Sequence, residues 1–203
     1  MRLPIDPDTV RGFLDAQEGR ALYEAALAGA AHGPCLEVGS YCGKSALYLG
    51  TAALEAGGVL FTVDHHRGSE ENQPGEEYHD TELWDAAAGA MDTLPLLRGT
   101  LRRAGLEEAV IPVVGRSSLV ARHWRTPLSL LFIDGGHSMA AAFADYSGWT
   151  PHVMQGGTLA IHDVFPDPED GGRPPYEIYR LALASGLFEE TAAVKSLRLL
   201  RRV

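Results

Sequence analysis

The stretch LEVGSYCGKSALYL, Leu36 to Leu49, places an acid and a glycine ahead of a Gly-Lys-Ser and an apolar helical run. A Walker-type phosphate loop, G-x-x-x-x-G-K-[S/T], has one more residue between its glycines than Gly39 and Gly43 enclose. Val38, not glycine, occupies the position that would restore the spacing. The dinucleotide pattern G-x-G-x-x-G needs a second glycine where Tyr41 stands, because there the backbone must close on a pyrophosphate. What remains is Glu37 at a strand end, then G-x-x-x-G, then a helix. That suits a ligand with no phosphate and a positive charge to be met by a carboxylate.

Other polar residues follow apolar runs in the same way. Asp64 closes VLFTVDH, Ser117 follows VIPVVG, Asp134 follows LSLLFI, and His162 and Asp163 close TLAIHDV. Each run is short and continuously apolar, as expected of strands in a parallel sheet covered on both faces. The segments between them read as helices: KSALYLGTAALEA, closed by Gly57-Gly58, then SSLVARHW, MAAAFADYSGWTPHV and YEIYRLALASG. The alternation gives a doubly wound, Rossmann-like α/β fold. LFEETAAV and LRLLRRV are separated only by Lys195-Ser196, so one of these last strands is antiparallel. A helix is expected over 9–32, broken near Glu18-Gly19, and ELWDAAAGAMDTLPLLRGTLRRAGL is expected to hold one or two helices.

The chain reads as one domain, 1–203, with a helical N-terminal segment at 1–33. Two polar insertions, 65–82 and 165–175, leave the carboxyl ends of strands, where doubly wound folds bind ligands. The first is rich in His, Glu and Asp and reads as a solvated loop placed to cover a substrate. Five strands thus bring Glu37 and Gly39, Asp64, Ser117, Asp134, and His162 with Asp163 to one edge.

The net charge is −10, which argues against a protein that binds nucleic acid through phosphates. Two cysteines, Cys35 and Cys42, imply no disulfide framework and fit a reducing cytoplasm. The N-terminus lacks the apolar core of a signal peptide, and no run approaches membrane-spanning length. The expected partner is a small-molecule substrate, with neither nucleic acid nor membrane; a homodimer is left open.

The ordered set resembles class I S-adenosylmethionine-dependent methyltransferases. LEVGSYCGKSA is similar to the cofactor loop of catechol O-methyltransferase-like enzymes. LFIDGGHS with GGTLAIHDV resembles small bacterial O-methyltransferases of the cephalosporin and macrolide-sugar type. The resemblance runs from about residue 18 to 164. It implies a seven-stranded sheet, mostly parallel, with an antiparallel last strand. It also implies that Glu37 lies near the cofactor's methionine amino group. Gly39, Ser40 and Gly43 would let the backbone pass close to the methionine and ribose. Asp64 would accept the ribose hydroxyls, Ser117 would lie at the adenine amine, and Asp134 would belong to the same edge. Each position has a structural alternative: Glu37 as a cap or salt-bridge residue, Asp64 as a turn cap, the glycines as turn formers. A valine at Gly39 is expected to block the cofactor's path while leaving the chain folded.

In metal-dependent members of that family, acids after the fourth and fifth strands hold a divalent cation. The matching positions are Asp134, His162 and Asp163, and His137 matches a general base, a role suited to imidazole. His162 departs from the usual acid, which shifts preference from magnesium toward manganese, iron or zinc, or signals that the metal is lost. Alternatively, His162 hydrogen-bonds within its loop and Asp163 caps the next turn. The leading expectation is a methyltransferase acting on a small-molecule hydroxyl. The alternatives are an NAD(P)-dependent oxidoreductase on a similar fold, or a non-catalytic S-adenosylmethionine-binding module.

Overall fold

The computed structural model of the protein describes residues 1–69, 73, 75, 80–136 and 138–203. Its main sheet has seven strands: β1 (Cys35–Val38), β2 (Leu60–Asp64), β5 (Val110–Val114), β6 (Leu128–Ile133), β7 (Val153–Ile161), β8 (Phe188–Val194) and β9 (Leu197–Arg202), in the order β5-β2-β1-β6-β7-β9-β8. The first five in this order run parallel, and β9, the last strand in the chain, is antiparallel to both neighbours. The order reverses between β1 and β6, so a crevice opens outside their carboxyl ends.

Alternate strand residues feed two cores. On one face, Cys35, Leu60, Leu130, Phe132 and Ala160 pack under α1 (Ala16–Gly29), α2 (Lys44–Glu55) and α3 (Leu94–Ala104). On the other, Leu36, Val63, Leu131, Ile133 and Ile161 pack under α4 (Ser117–His123), α5 (Met139–Trp149) and α6 (Arg173–Ala184). Glu37 and His162 fall on the α1–α2–α3 face by the same alternation. No helix among the described residues is long and apolar enough to cross a membrane.

Two local expectations, for α1 and α6, are corrected. Helix α1 begins only at Ala16, because Asp15 and Glu18 form a capping box there. Glu18-Gly19 lies inside the helix and does not break it. Gly19 is where α2 crosses closely, since a Cβ at that position would stand 2.5 Å from the Tyr48 ring. The segment ELWDAAAGAMDTLPLLRGTLRRAGL holds one helix, α3, as expected, and ahead of it a hairpin, β3 (Trp84–Asp85) and β4 (Ala90–Met91). Its turn is set by Asp85 Oδ1, which accepts the Ala87 and Ala88 N–H groups, and by Gly89 at φ +62°. Helix α6 takes in Pro174 and Pro175, which the sequence reading left in the loop, because proline in a first turn lacks only an N–H that has no helical partner.

Candidate active site

The strand ends are level. Val38 pairs with both Val63 and Ile133, and Ile133 with Ile161. The next residues therefore line one edge: Gly39 donates to Val63 O, Asp134 to Val38 O, and His162 to Ile133 O. The sheet register, not local loop structure, gathers the residues that the sequence placed at strand ends.

Glu37 is fully buried. Ser45, in the first turn of α2, donates to its Oε1 at 3.0 Å, whereas its Oε2 has no hydrogen-bond partner among the described residues. Burial, with added repulsion from Asp134 and Asp64, pushes its carboxyl up to about 8. A buried carboxylate with an open oxygen is costly unless a donor or a cation completes it. Behind it the loop is tight. Gly39 sits at φ +90°, and a Cβ there would stand 2.0 Å from Asp134 O. Gly43, at φ +91°, caps α2, and a Cβ there would stand 2.8 Å from Leu97 Cδ1.

Asp64 binds this loop from the neighbouring strand. Its Oδ2 accepts the Ser40 and Tyr41 N–H groups, each at 3.0 Å, and its Oδ1 accepts the His66 N–H at 2.7 Å. Ser40 Oγ also pairs with the Thr62 hydroxyl. Asp64 thus acts as the loop's anchor; it is half-buried, and a carboxylate oxygen that accepts one N–H can accept a second donor. His66 is buried, adopts φ +59°, and joins Thr93 Oγ1 through Nδ1 at 2.8 Å.

Ser117 opens α4, and its Oγ accepts the Trp149 indole N–H at 2.7 Å. Beside it is Asp145 of α5, which the sequence reading missed. Burial pushes this carboxyl up to about 6 against an opposing hydrogen bond from Ser117. Its Oδ2 would lie 2.7 Å from a Cβ at Gly135, so it backs the loop that follows Asp134. The helical spacing Ala142, Asp145, Trp149 marks the buried face of α5 and was the available signal.

Asp134, His162 and Asp163 come together as the sequence implied. One ligand atom from each lies within 4.8 Å of the others. His162 is buried, with Nδ1 at 2.9 Å from Asp134 Oδ1 and 3.5 Å from Asp163 Oδ2. Its other nitrogen, Nε2, meets Glu18 Oε2 at 3.0 Å. Burial disfavours the imidazolium, but Asp134, Asp163 and Glu18 together raise its pKa strongly. Burial would likewise raise Glu18, yet His162 and Ser196 lower it overall. These donors fit a divalent cation: two carboxylates and an imidazole each bring a ligand atom to the same small space, with a further carboxylate on the other ring nitrogen. Glu18 was not foreseen as part of the site, although the capping-box spacing Asp15-x-x-Glu18 was visible. The expected base, His137, lies outside the described residues.

Near the cluster, Asp134, Gly135, Gly136, His162, Pro175 and Ile178 border a small pocket. A larger groove of about 600 Å³, with Arg125, His152 and Arg202 on its walls, lies at the start of β7, remote from these strand ends.

A family model described as a methyltransferase domain matches residues 36–164. Three solved structures share the fold. The cofactor-bound protein Rv0187 from MTB is 19% identical, with a TM-score of 0.68 over 97% of this chain and 85% of that one. The O-methyltransferase TomG from Streptomyces achromogenes, in complex with SAM, is 17% identical, with a TM-score of 0.64 over 94% and 82%. The O-methyltransferase from Bacillus cereus, in complex with SAH, is 16% identical, with a TM-score of 0.64 over 97% and 86%. At these identities the likeness is one of fold.

Proposed function

The chain belongs to the family of methyltransferase domains whose model spans residues 36–164, and on that premise we propose that it moves a methyl group from S-adenosylmethionine to a hydroxyl of a small molecule. One observation carries the reading. Glu37 is the penultimate residue of β1, the strand beside which strand order reverses, and is fully buried with an oxygen that no described residue hydrogen-bonds. An ammonium group delivered there would complete it, and the methionine part of this cofactor carries one.

Bound S-adenosylmethionine supplies an electrophilic methyl on a sulfonium. The chain's task is to hold donor and acceptor in line and to keep water out. Glu37 receives the amino group. Asp64 accepts ribose hydroxyls while holding Ser40 and Tyr41 in place, and Ser117 faces the adenine amine. Gly39 and Gly43 let the loop pack against the Asp134 main chain and Leu97, which fixes the residues that meet the ligand.

A bound divalent cation supplies positive charge to a substrate hydroxyl and lowers its pKa. Asp134, His162 and Asp163 would hold it. His137, three residues beyond Asp134, is placed in sequence to take the hydroxyl proton. With an imidazole among the ligands, manganese should restore chelator-treated enzyme at least as well as magnesium.

Calorimetry with S-adenosylmethionine, S-adenosylhomocysteine and NAD tests the cofactor, and label transfer from methyl-labelled cofactor to a panel of hydroxylated small molecules tests the reaction. Binding of NAD without either adenosyl compound would refute the reading. A folded protein that binds S-adenosylhomocysteine but labels no hydroxyl would leave the cofactor assignment standing and remove the acceptor.

A further inference from the structure

His162 is held from both ring nitrogens. Nδ1 faces Asp134 and Asp163, while Nε2 meets Glu18, a residue 144 positions away on α1. The Glu18 carboxylate is itself fixed. Its Oε1 accepts the Ser196 N–H at 2.9 Å and the Ser196 hydroxyl at 2.8 Å, and its Oε2 also accepts the Asp15 N–H at 3.2 Å. A capping role would explain only the last of these contacts, and a cap does not need to be buried. A carboxylate behind a metal-binding histidine sets both the tautomer and the ring orientation.

We propose that Glu18 is the positioning residue of the strand-end cluster: by accepting the Nε2–H of His162 it turns Nδ1 toward Asp134 and Asp163, where a divalent cation would take the place of the Nδ1 proton and gain its third ligand. This rests on reading the cluster as a cation site, and it brings into the site a residue of α1 that lies outside all the strand-end motifs. It also makes the β8–β9 turn, through Ser196, part of the support for that site.

Glutamine at position 18 separates this role from a packing role. Ser196 meets this carboxylate with two donors at 2.9 and 2.8 Å and Asp15 with one longer N–H at 3.2 Å, so the amide oxygen faces Ser196. The amide NH2 then faces His162 Nε2 and demands the opposite tautomer, with the proton on Nδ1. The test uses the full chain, stripped with chelator and titrated with Mn²⁺, free Mn²⁺ being read by electron paramagnetic resonance. Glu18→Gln should bind Mn²⁺ about 10–100-fold more weakly than the parent, with S-adenosylhomocysteine affinity unchanged. In a His162→Asp background, which keeps an oxygen ligand but has no ring to orient, adding Glu18→Gln should no longer weaken Mn²⁺. Parental Mn²⁺ affinity in Glu18→Gln, or an equal loss in both backgrounds, would overturn the proposal.

A second readout needs no metal. The metal-free parent should show a slowly exchanging imidazole Nε2–H resonance, assigned to His162 by its absence in His162→Asp; a rapidly exchanging one overturns the clamp. If the parent binds no Mn²⁺, the cation reading falls, and this resonance alone judges the hold of Glu18 on His162.

Discussion

Gly39 and Asp134 are in backbone contact: a Cβ on Gly39 would stand 2.0 Å from the Asp134 carbonyl oxygen and 2.7 Å from its carbon. The loops after β1 and β6 touch at this point, and the obstacle is main chain, which cannot rotate away. The expectation that a valine here would block a ligand and spare the fold is therefore revised. Gly39→Ala should lower unfolding free energy by about 3 kcal/mol or more, from both the clash and the left-handed φ. Urea unfolding followed by circular dichroism measures this; a parental midpoint would show that the two loops part easily.

Asp64 has a double task. It accepts three backbone N–H groups of the cofactor-side loops and keeps capacity for a ribose hydroxyl. Asp64→Ala should weaken S-adenosylhomocysteine binding by about 1–3 kcal/mol. It should also speed amide exchange at Ser40, Tyr41 and His66 in the free protein. Loss of affinity with unchanged exchange would mean that the loop is held by other contacts.

The elements that position this site were legible because they depend on local pattern. A buried strand, a glycine turn and a helix start can each be read from a few adjacent residues, as in LEVGSYCGKSA. The meeting of Asp134, His162 and Asp163 was legible through resemblance, and the level strand ends account for it. Glu18 was not legible, because its role exists only once α1 lies across β7 and the Lys195-Ser196 turn closes over it. Asp145 was hidden for a similar reason: its environment is made by Ser117 and Gly135 from other elements. The Trp84 hairpin was not legible because its alanines favour helix, while Asp85 and Gly89 impose a turn that outweighs them.

His162 should be a strong stabiliser as well as a site residue. Removing it by His162→Ala leaves the buried Glu18 carboxylate without its cationic partner, at a cost of about 3–5 kcal/mol. The pH dependence has a definite sign. The folded pKa of His162 is raised above 6.5, so its contribution is complete below pH 6.5 and declines as pH rises above it. Glu18 is lowered from 4.5, so its contribution is present above pH 4.5 and is lost on acidification. The stability gap between parent and His162→Gln should thus be larger at pH 6 than at pH 9. A gap independent of pH across that range would show that His162 is neutral in the folded protein.

Glu37 gives the sharpest link between structure and ligand. Its carboxyl is pushed up from 4.5 to about 8 by burial, so in the free protein at pH 7 it is mostly protonated. The linkage runs opposite to that of Glu18. An acid raised on folding favours the folded state fully below pH 4.5, and that advantage is lost as pH rises through 8. Glu37→Gln should therefore flatten the decline of stability between those limits. The ligand reverses the preference: an ammonium set against the open Oε2 stabilises the carboxylate, so binding must expel the proton. S-adenosylhomocysteine affinity should rise roughly tenfold per pH unit below about 8 and level off above it. Calorimetry at pH 7 in two buffers of different ionisation enthalpy should report nearly one proton released per ligand bound. Glu37→Gln should bind more weakly and release none. A parent protein whose binding heat is independent of buffer would remove the ammonium from Glu37 and with it the observation on which the cofactor assignment rests.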